Sequence, residues 1–362
     1  MSRKLKYLDE AILACNSSPA KKQCLFAERA IYFGRKGEIE RAFSELAALD
    51  GFSSNTDLSV SVMRNLAYGV IDFYCSNGAM AIDKTLRAYA LANAGGLLLE
   101  KSLSAAWLSH FFDSDHNVVQ ACKFAKEALE IAPAEFHDAR SRAGLVVAQN
   151  LGIAGRPDLA APWYSSVLRH ANSSGDELTI SALIFNQTME RVSRWRQFRL
   201  NSQDEKSQGM VEFAAATSAG DFDTLIGNHG LENLNPLLIA QVLSLRRCYQ
   251  LALDIYEVNL PRGDYALRMQ ADFIADQSLC TFYVGRSREA REMMETALAK
   301  LVPETHPDDR AATYSRASIL YRELGDSDTS VQYGAIASVL WRDYSKLQRQ
   351  MITLFSEISH IG

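Results

Sequence analysis

Residues 121–133 read ACKFAKEALEIAP. Ala121, Ala125 and Ala128 are spaced by four and three, which places them on one face of a helix. Pro133 follows the last turn, where the helix cannot continue through it. A helix face built from such small side chains lets a second helix approach to an interaxial distance of about 8–10 Å. One hairpin of this kind cannot bury its apolar side alone, so the pattern should recur and successive hairpins should stack.

It does recur. The template is a small residue, a turn residue seven later, an alanine twelve later, and further small or apolar residues sixteen and nineteen later. Ala30, Gly37, Ala42, Leu46 and Leu49 satisfy it, as do Gly69, Ser76, Ala81, Thr85 and Ala88. Ser109, His116 and the opening alanines follow, then Ala148, Gly155, Ala160, Tyr164 and Val167. Towards the C-terminus come Ala240, Arg247, Ala252 and Tyr256; Ser278, Gly285, Ala290, Met294 and Ala297; and Ser318, Gly325, Ser330, Gly334 and Ala337. The steps from Ala30 are 39, 40 and 39, and from Ala240 they are 38 and 40. The 92 residues between Ala148 and Ala240 leave room for two units and an insertion, with an irregular unit around Asn186. The sequence therefore predicts an all-α protein of about eight helix pairs with a period near 40. The turn position should be left-handed backbone, which glycine adopts without strain and which ends the first helix of each pair.

These helix pairs resemble tetratricopeptide repeats, the unit at 105–133 most closely, through Leu108, Ala121, Ala125, Ala128 and Pro133. The likeness covers most of 23–341, with a period longer than that family's 34 residues and therefore longer helices. The aromatic that the family places at the end of the first helix is Phe33 and Phe112 here, but Asp72, Leu151 and Thr281 in other units. The resemblance implies a right-handed α-solenoid whose first helices line a concave groove. Projected onto this chain, the groove carries His110, Arg142, Gln149, Gln187, Glu190, Gln241, Asp272 and Arg322 among aliphatic residues such as Leu66, Val70 and Leu145. Amides and charges over an apolar floor suit an extended or helical peptide.

The expected organisation is an N-terminal array over 1–197, an irregular insertion or hinge over 198–236, a C-terminal array over 237–341, and a terminal helix over 342–362. The middle segment is assigned to loop because FRLNSQDEKSQG is polar and SAGDFDTLIGNHGLENLNP is rich in glycine. In the terminal segment a stripe of Tyr333, Ala337, Leu340, Tyr344, Leu347, Met351, Leu354 and Ile358 keeps a heptad spacing. Two roles fit it: a cap over the last repeat, favoured by Trp341 and Phe355, or a homodimer seam through Leu340, Tyr344, Leu347, Met351, Leu354 and Ile358. This tail also resembles the connecting helix between tetratricopeptide sensor regions and diguanylate cyclase domains of bacterial signalling proteins. That resemblance implies a sensory region of a longer protein, passing a signal to a cyclase or a transcriptional regulator, although no GGDEF signature lies in the chain.

Composition is consistent with a helical cytoplasmic protein. Nearly half of the residues are hydrophobic, and glycine and proline are scarce. A net charge of −5 weighs against a nucleic-acid binder. No apolar run approaches the length of a membrane span. Cys15, Cys24, Cys75, Cys122, Cys248 and Cys280 form no CxxC pair and read as reduced, buried thiols.

Catalytic signatures such as GxxxxGK, GxGxxG, HExxH and GxSxG are missing, so no catalytic, cofactor or metal residues are assigned. FDSDHN, 112–117, begins like a calcium loop, but Val118 and Phe124 stand where the glycine and closing glutamate are required. RVSRWRQFR, 191–199, mixes arginine with Trp195 and Phe198, and reads as a solvated helix end with two buried aromatics rather than a base-stacking surface. THPDDR, 305–310, reads as a helix start with Asp308 or Asp309 at the positive end. The function these observations favour is a non-catalytic scaffold that binds a protein or peptide in its groove.

Overall fold

The computed structural model describes residues 2–15, 18–50, 57–76, 78–202, 209–262 and 267–358. Among these, helices and one short 3₁₀ turn account for all regular structure, and no strand occurs. After α1 (Arg3–Ala14) the chain forms eight antiparallel pairs. They are α2 (Pro19–Lys36) with α3 (Ile39–Asp50), α4 (Leu58–Tyr74) with α5 (Gly78–Ala94), and α6 (Leu98–Ser114) with α7 (Val118–Ile131). Next come α8 (His137–Ile153) with α9 (Pro157–Ser174), and α10 (Glu177–Ser202) with α11 (Met210–Ile226). The last three are α12 (Leu234–Leu245) with α13 (Tyr249–Asn259), α14 (Leu267–Tyr283) with α15 (Ser287–Ala299), and α16 (Pro307–Glu323) with α17 (Ser327–Ser356).

The template positions meet as their sizes require. Ala30, Ala42, Ala81, Ala121, Ala148, Ala240, Ala252 and Ala290 are all buried. Where the first small residue is serine, its hydroxyl donates to the carbonyl twelve residues on: Ser109 to Ala121 at 2.9 Å, Ser278 to Ala290 at 2.7 Å and Ser318 to Ser330 at 2.9 Å. The spacing of twelve is thus the register of the hairpin. At Gly69 a Cβ would sit 2.3 Å from Thr85 Oγ1, so that pair closes to a separation only glycine allows.

All seven predicted turn positions are left-handed, with φ between 59° and 94°. Four are glycine; Ser76, His116 and Arg247 adopt the same conformation without that freedom. Two of the second helices start on side-chain caps, Asn117 accepting from Gln120 N at 3.2 Å and Asp326 from Thr329 N at 3.1 Å.

The array curls far enough to touch itself. The α2–α3 turn meets the segment after α11, where His229 N donates to Lys36 O at 2.9 Å. α1 lies against the α9–α10 turn, with Lys4 N donating to Gly175 O at 3.1 Å. At the other end α17 packs on α16, then runs on to α7 and α8. There Gln348 Nε2 donates to Ile153 O at 2.8 Å, and Met351, Phe355 and Ile358 join the core of the N-terminal half.

Three expectations change. Much of 198–236 is regular: α10 continues through Ser202 and α11 spans Met210–Ile226, completing the fifth pair, while 203–208 lie outside the described residues. Gly220 sits inside α11, Gly227 ends it with φ 63°, and Gly230 alone lies in the connecting turn, so of three glycines read as turn signals one is helical and one is a cap. The terminal helix begins at Ser327 and passes position 341 without a break. Its stripe is occupied within the chain: Tyr344, Met351 and Ile358 are buried, and the main chain at Leu354 accepts a hydrogen bond from Cys122 Sγ. The proposed dimer seam is therefore the surface that closes the coil, because an apolar heptad face packs on any adjacent apolar wall. The capping role extends beyond the last unit. All six cysteines are free thiols, but only Cys122 and Cys280 are buried as expected; Cys15, Cys24 and Cys248 are half-buried and Cys75 is exposed.

Candidate functional site

Closing the coil leaves a cavity of about 290 Å³ near its centre, walled by α6, α8, α10, α12, α14, α16 and α17. One side is apolar, made by Ile153, Phe185, Met189, Leu234, Leu238, Met269, Phe273, Leu347 and Met351. The polar side carries Gln149, Asn150 and Gln241, together with Asp113, Asp272, Asp308, Asp309, Arg196 and His306. A mostly apolar chamber with a few converging polar groups is the usual form of a ligand site.

The polar side is held by a buried ion network that ties the two halves together. Arg196, on α10, is 5% exposed. Its Nη1 lies 2.6 Å from Asp272 Oδ2 and 2.8 Å from Asp309 Oδ1, and its Nη2 donates to Asp308. Arg316, on α16, pairs with Asp272 and, at 2.9 Å, with Asp276 Oδ1. Gln241 Nε2 donates to Asp272 Oδ2 at 2.9 Å, and Tyr256 Oη to Asp276 Oδ2 at 2.6 Å. Asp308 also takes hydrogen bonds from Ser193 Oγ at 2.8 Å and from the ring of His306. At the start of α16 both aspartates also lie at the positive end of the helix, as the THPDDR reading has it.

The charges do not balance. Burial raises Asp309 to about 7, with adjacent Asp308 adding to the effect. Burial also raises Asp113 to about 6, against the hydrogen bond from Asn150. Burial alone would lower His306, but Asp308 overrides it and leaves the pKa raised. Asp308 stays below its ordinary value because His306 and Arg196 outweigh burial. Asp272 is compensated by Arg196 and Arg316, and Asp308 by Arg196 and His306, so Asp113 and Asp309 are the carboxyl groups that a cation in the chamber would favour in their charged form.

The eight residues projected onto the groove do not form one site. Gln149, Gln241 and Asp272 reach the central cavity. His110 and Arg142 lie in the closed centre of the N-terminal half, where Trp107 stacks under Arg142 at 4.2 Å and its ring centroid lies 5.9 Å from that of His110. Burial, then Arg142 and Arg35, push His110 far down, so its ring is neutral. Gln187 and Glu190 line a separate hollow between α9 and α10, with Glu190 accepting from Tyr164 Oη at 3.0 Å. Arg322 lies at a third hollow with Tyr249 and Tyr283.

Sequence reasoning missed Arg196. Its motif was read as a solvated helix end; Trp195 is indeed buried, but Phe198 is largely exposed and Arg196 is among the most enclosed charges. Its partners are 76 and 112 residues away, so no local pattern announces them. The rings of His116 and His306 meet edge to face, with centroids 4.5 Å apart. No cluster of metal-ligating groups occurs among the described residues.

No family model matches the chain, and no curated protein matches its sequence. Solved structures do. A Rap protein complexed with competence and sporulation factor is 12% identical, with a TM-score of 0.58, over 91% of this chain and all of that one. The Rap conjugation gene regulator of plasmid pLS20, in complex with the Phr* peptide, is 15% identical, with a TM-score of 0.55, over 95% of both chains. At such identities the likeness is one of fold: the chain shares the helical-repeat architecture of these proteins from end to end. No helix among the described residues is long and apolar enough to cross a membrane.

Proposed function

We propose that this chain is a regulatory scaffold that binds a short peptide in the central cavity. The observation that carries the reading is the cavity itself: an apolar chamber of about 290 Å³ whose polar wall holds Gln149, Gln241 and the carboxylates around Arg196. The amides can pair a peptide backbone, the apolar wall can accept side chains, and the carboxyl groups of Asp113 and Asp309, whose pKa burial raises, favour a peptide bearing a cationic side chain. Support comes from the Rap regulator of similar fold, whose structure was solved with a peptide. Because α10, α12, α14, α16 and α17 all border the chamber, an occupant there changes how the two ends of the coil meet. That coupling is how binding would alter an outer surface that a second protein reads.

Calorimetric titration with positional-scanning hexapeptide mixtures tests this. Mixtures fixed as lysine or arginine at one position should release more heat than their glutamate counterparts, and Leu238→Trp, which fills the chamber, should abolish the signal. Equal signals from wild type and Leu238→Trp would overturn the proposal.

A further inference from the structure

The N-terminal half encloses a second, smaller chamber of about 40 Å³ between α1, α2, α6, α8 and the α9–α10 turn. Most charges around it are paired. Lys4 Nζ lies 2.7 Å from Asp138 Oδ2, and Arg35 Nη1 lies 2.8 Å from Asp176 Oδ2. Thr179 Oγ1 accepts from Arg35 Nη2 at 2.8 Å and donates to Asp176.

Arg142 is different. It is 4% exposed, lines the chamber, and lies over the Trp107 ring at 4.2 Å. Among the described residues no carboxylate or carbonyl forms a hydrogen bond or ion pair with its guanidinium. Burying such a charge unpaired is costly, and natural interiors avoid it unless a partner arrives. Burial and the neighbouring Arg35 lower Arg142 to about 10, consistent with a cation short of counter-charge. Glu28, the remaining acid at the chamber, is held largely protonated below neutrality, since burial raises it to about 7. Lys4 and Arg35 are matched by Asp138 and Asp176, which leaves the charge on Arg142 over.

We propose that this chamber is a carboxylate-binding site, in which the fork of Arg142, stacked on Trp107, grips a small carboxylate. The volume limits the class: about 40 Å³ is room for roughly three waters, since one needs ~10–15 Å³ by the same measure. A carboxylate group fills that space and a nucleotide does not. Guanidinium matches carboxylate with two parallel hydrogen bonds, and the indole face holds its plane. The carboxylate can be free in solution or the end of a peptide.

The test is NMR of the arginine Nε–Hε signals of the intact chain during titration with sodium acetate, at constant ionic strength against chloride. One signal, missing from Arg142→Leu, should shift saturably with a dissociation constant on the order of 1 mM. Acetamide should have no effect. N-acetylglycine separates the sources: a matching shift assigns the site to peptide ends, and a shift with acetate alone assigns it to free small acids. If Arg142→Leu does not fold, Arg142→Lys, which keeps the charge but loses the fork, should weaken acetate at least several-fold, read in both proteins from the indole N–H signal of Trp107. Ordered water joining Arg142 to the unpartnered Oδ1 of Asp138 would instead give no saturable shift, and that result would overturn the site. No peptide enters the acetate titration, so its failure leaves the central cavity untouched, and the reverse holds equally.

Discussion

Replacing Arg196 by methionine keeps the length of the side chain and removes the charge that three carboxylates share. Removing one member of a buried ion pair costs about 3–5 kcal/mol, because the partner stays buried without compensation. Here the partners are unequally exposed to that loss. Asp272 keeps Arg316 and Gln241, and Asp308 keeps His306 and Ser193. Asp309, already raised to about 7, can take a proton instead of remaining charged. The loss should therefore fall at the lower end, about 3 kcal/mol, which at roughly 2 °C per kcal/mol is a fall of about 6 °C in Tm. Arg196→Lys should lose part of this, since an ammonium cannot fork between Asp272 and Asp308. Hydrogen exchange should show where the stability goes: α10, α14 and α16 open more readily, while α4–α7 stay protected. A folded Arg196→Met protein melting within one degree of wild type would refute the reasoning, and with it the claim that this network joins the halves.

Three other outcomes follow from the same physics. Ser76→Gly relieves a left-handed residue in an exposed turn and should raise Tm, the stability gain being about 1 kcal/mol, measured by calorimetry. Phe355→Ala opens a space where α17 meets the N-terminal half and should cost about 3–5 kcal/mol locally, seen as faster exchange in the last turns of α17 rather than across the chain. Asp309 has a folded pKa above its unfolded one, so its contribution is fully present below about 4 and is lost as pH rises towards 7; Asp309→Asn should flatten the fall in Tm across that window.

The repeat was legible because its physics is local. A small residue, a left-handed turn and an alanine twelve positions later are all set within one hairpin, and Ser109, His116 and Ala121 show all three. The middle unit was harder to read because Gly220 and Gly227 look alike in sequence while one lies within a helix and the other ends it. The heptad in α17 was visible, but periodicity reports an apolar face and is silent on what covers it. Only the curvature accumulated over eight pairs brings Met351 and Phe355 to the N-terminal core. The same curvature explains the site. Gln149, Gln241 and Asp272 were placed on an inner wall by helical projection, whereas Arg196, Asp308 and Asp309 meet through packing that no single unit encodes.

A crystal structure of the chain with the tightest peptide from the positional scan is the most direct measurement of all. The expected result is a peptide in the central chamber, within contact of Gln149, Gln241 and Met351, with its cationic side chain at Asp113, Asp308 or Asp309. A peptide bound on the outer face of the coil, with the chamber unchanged from the free protein, would contradict it.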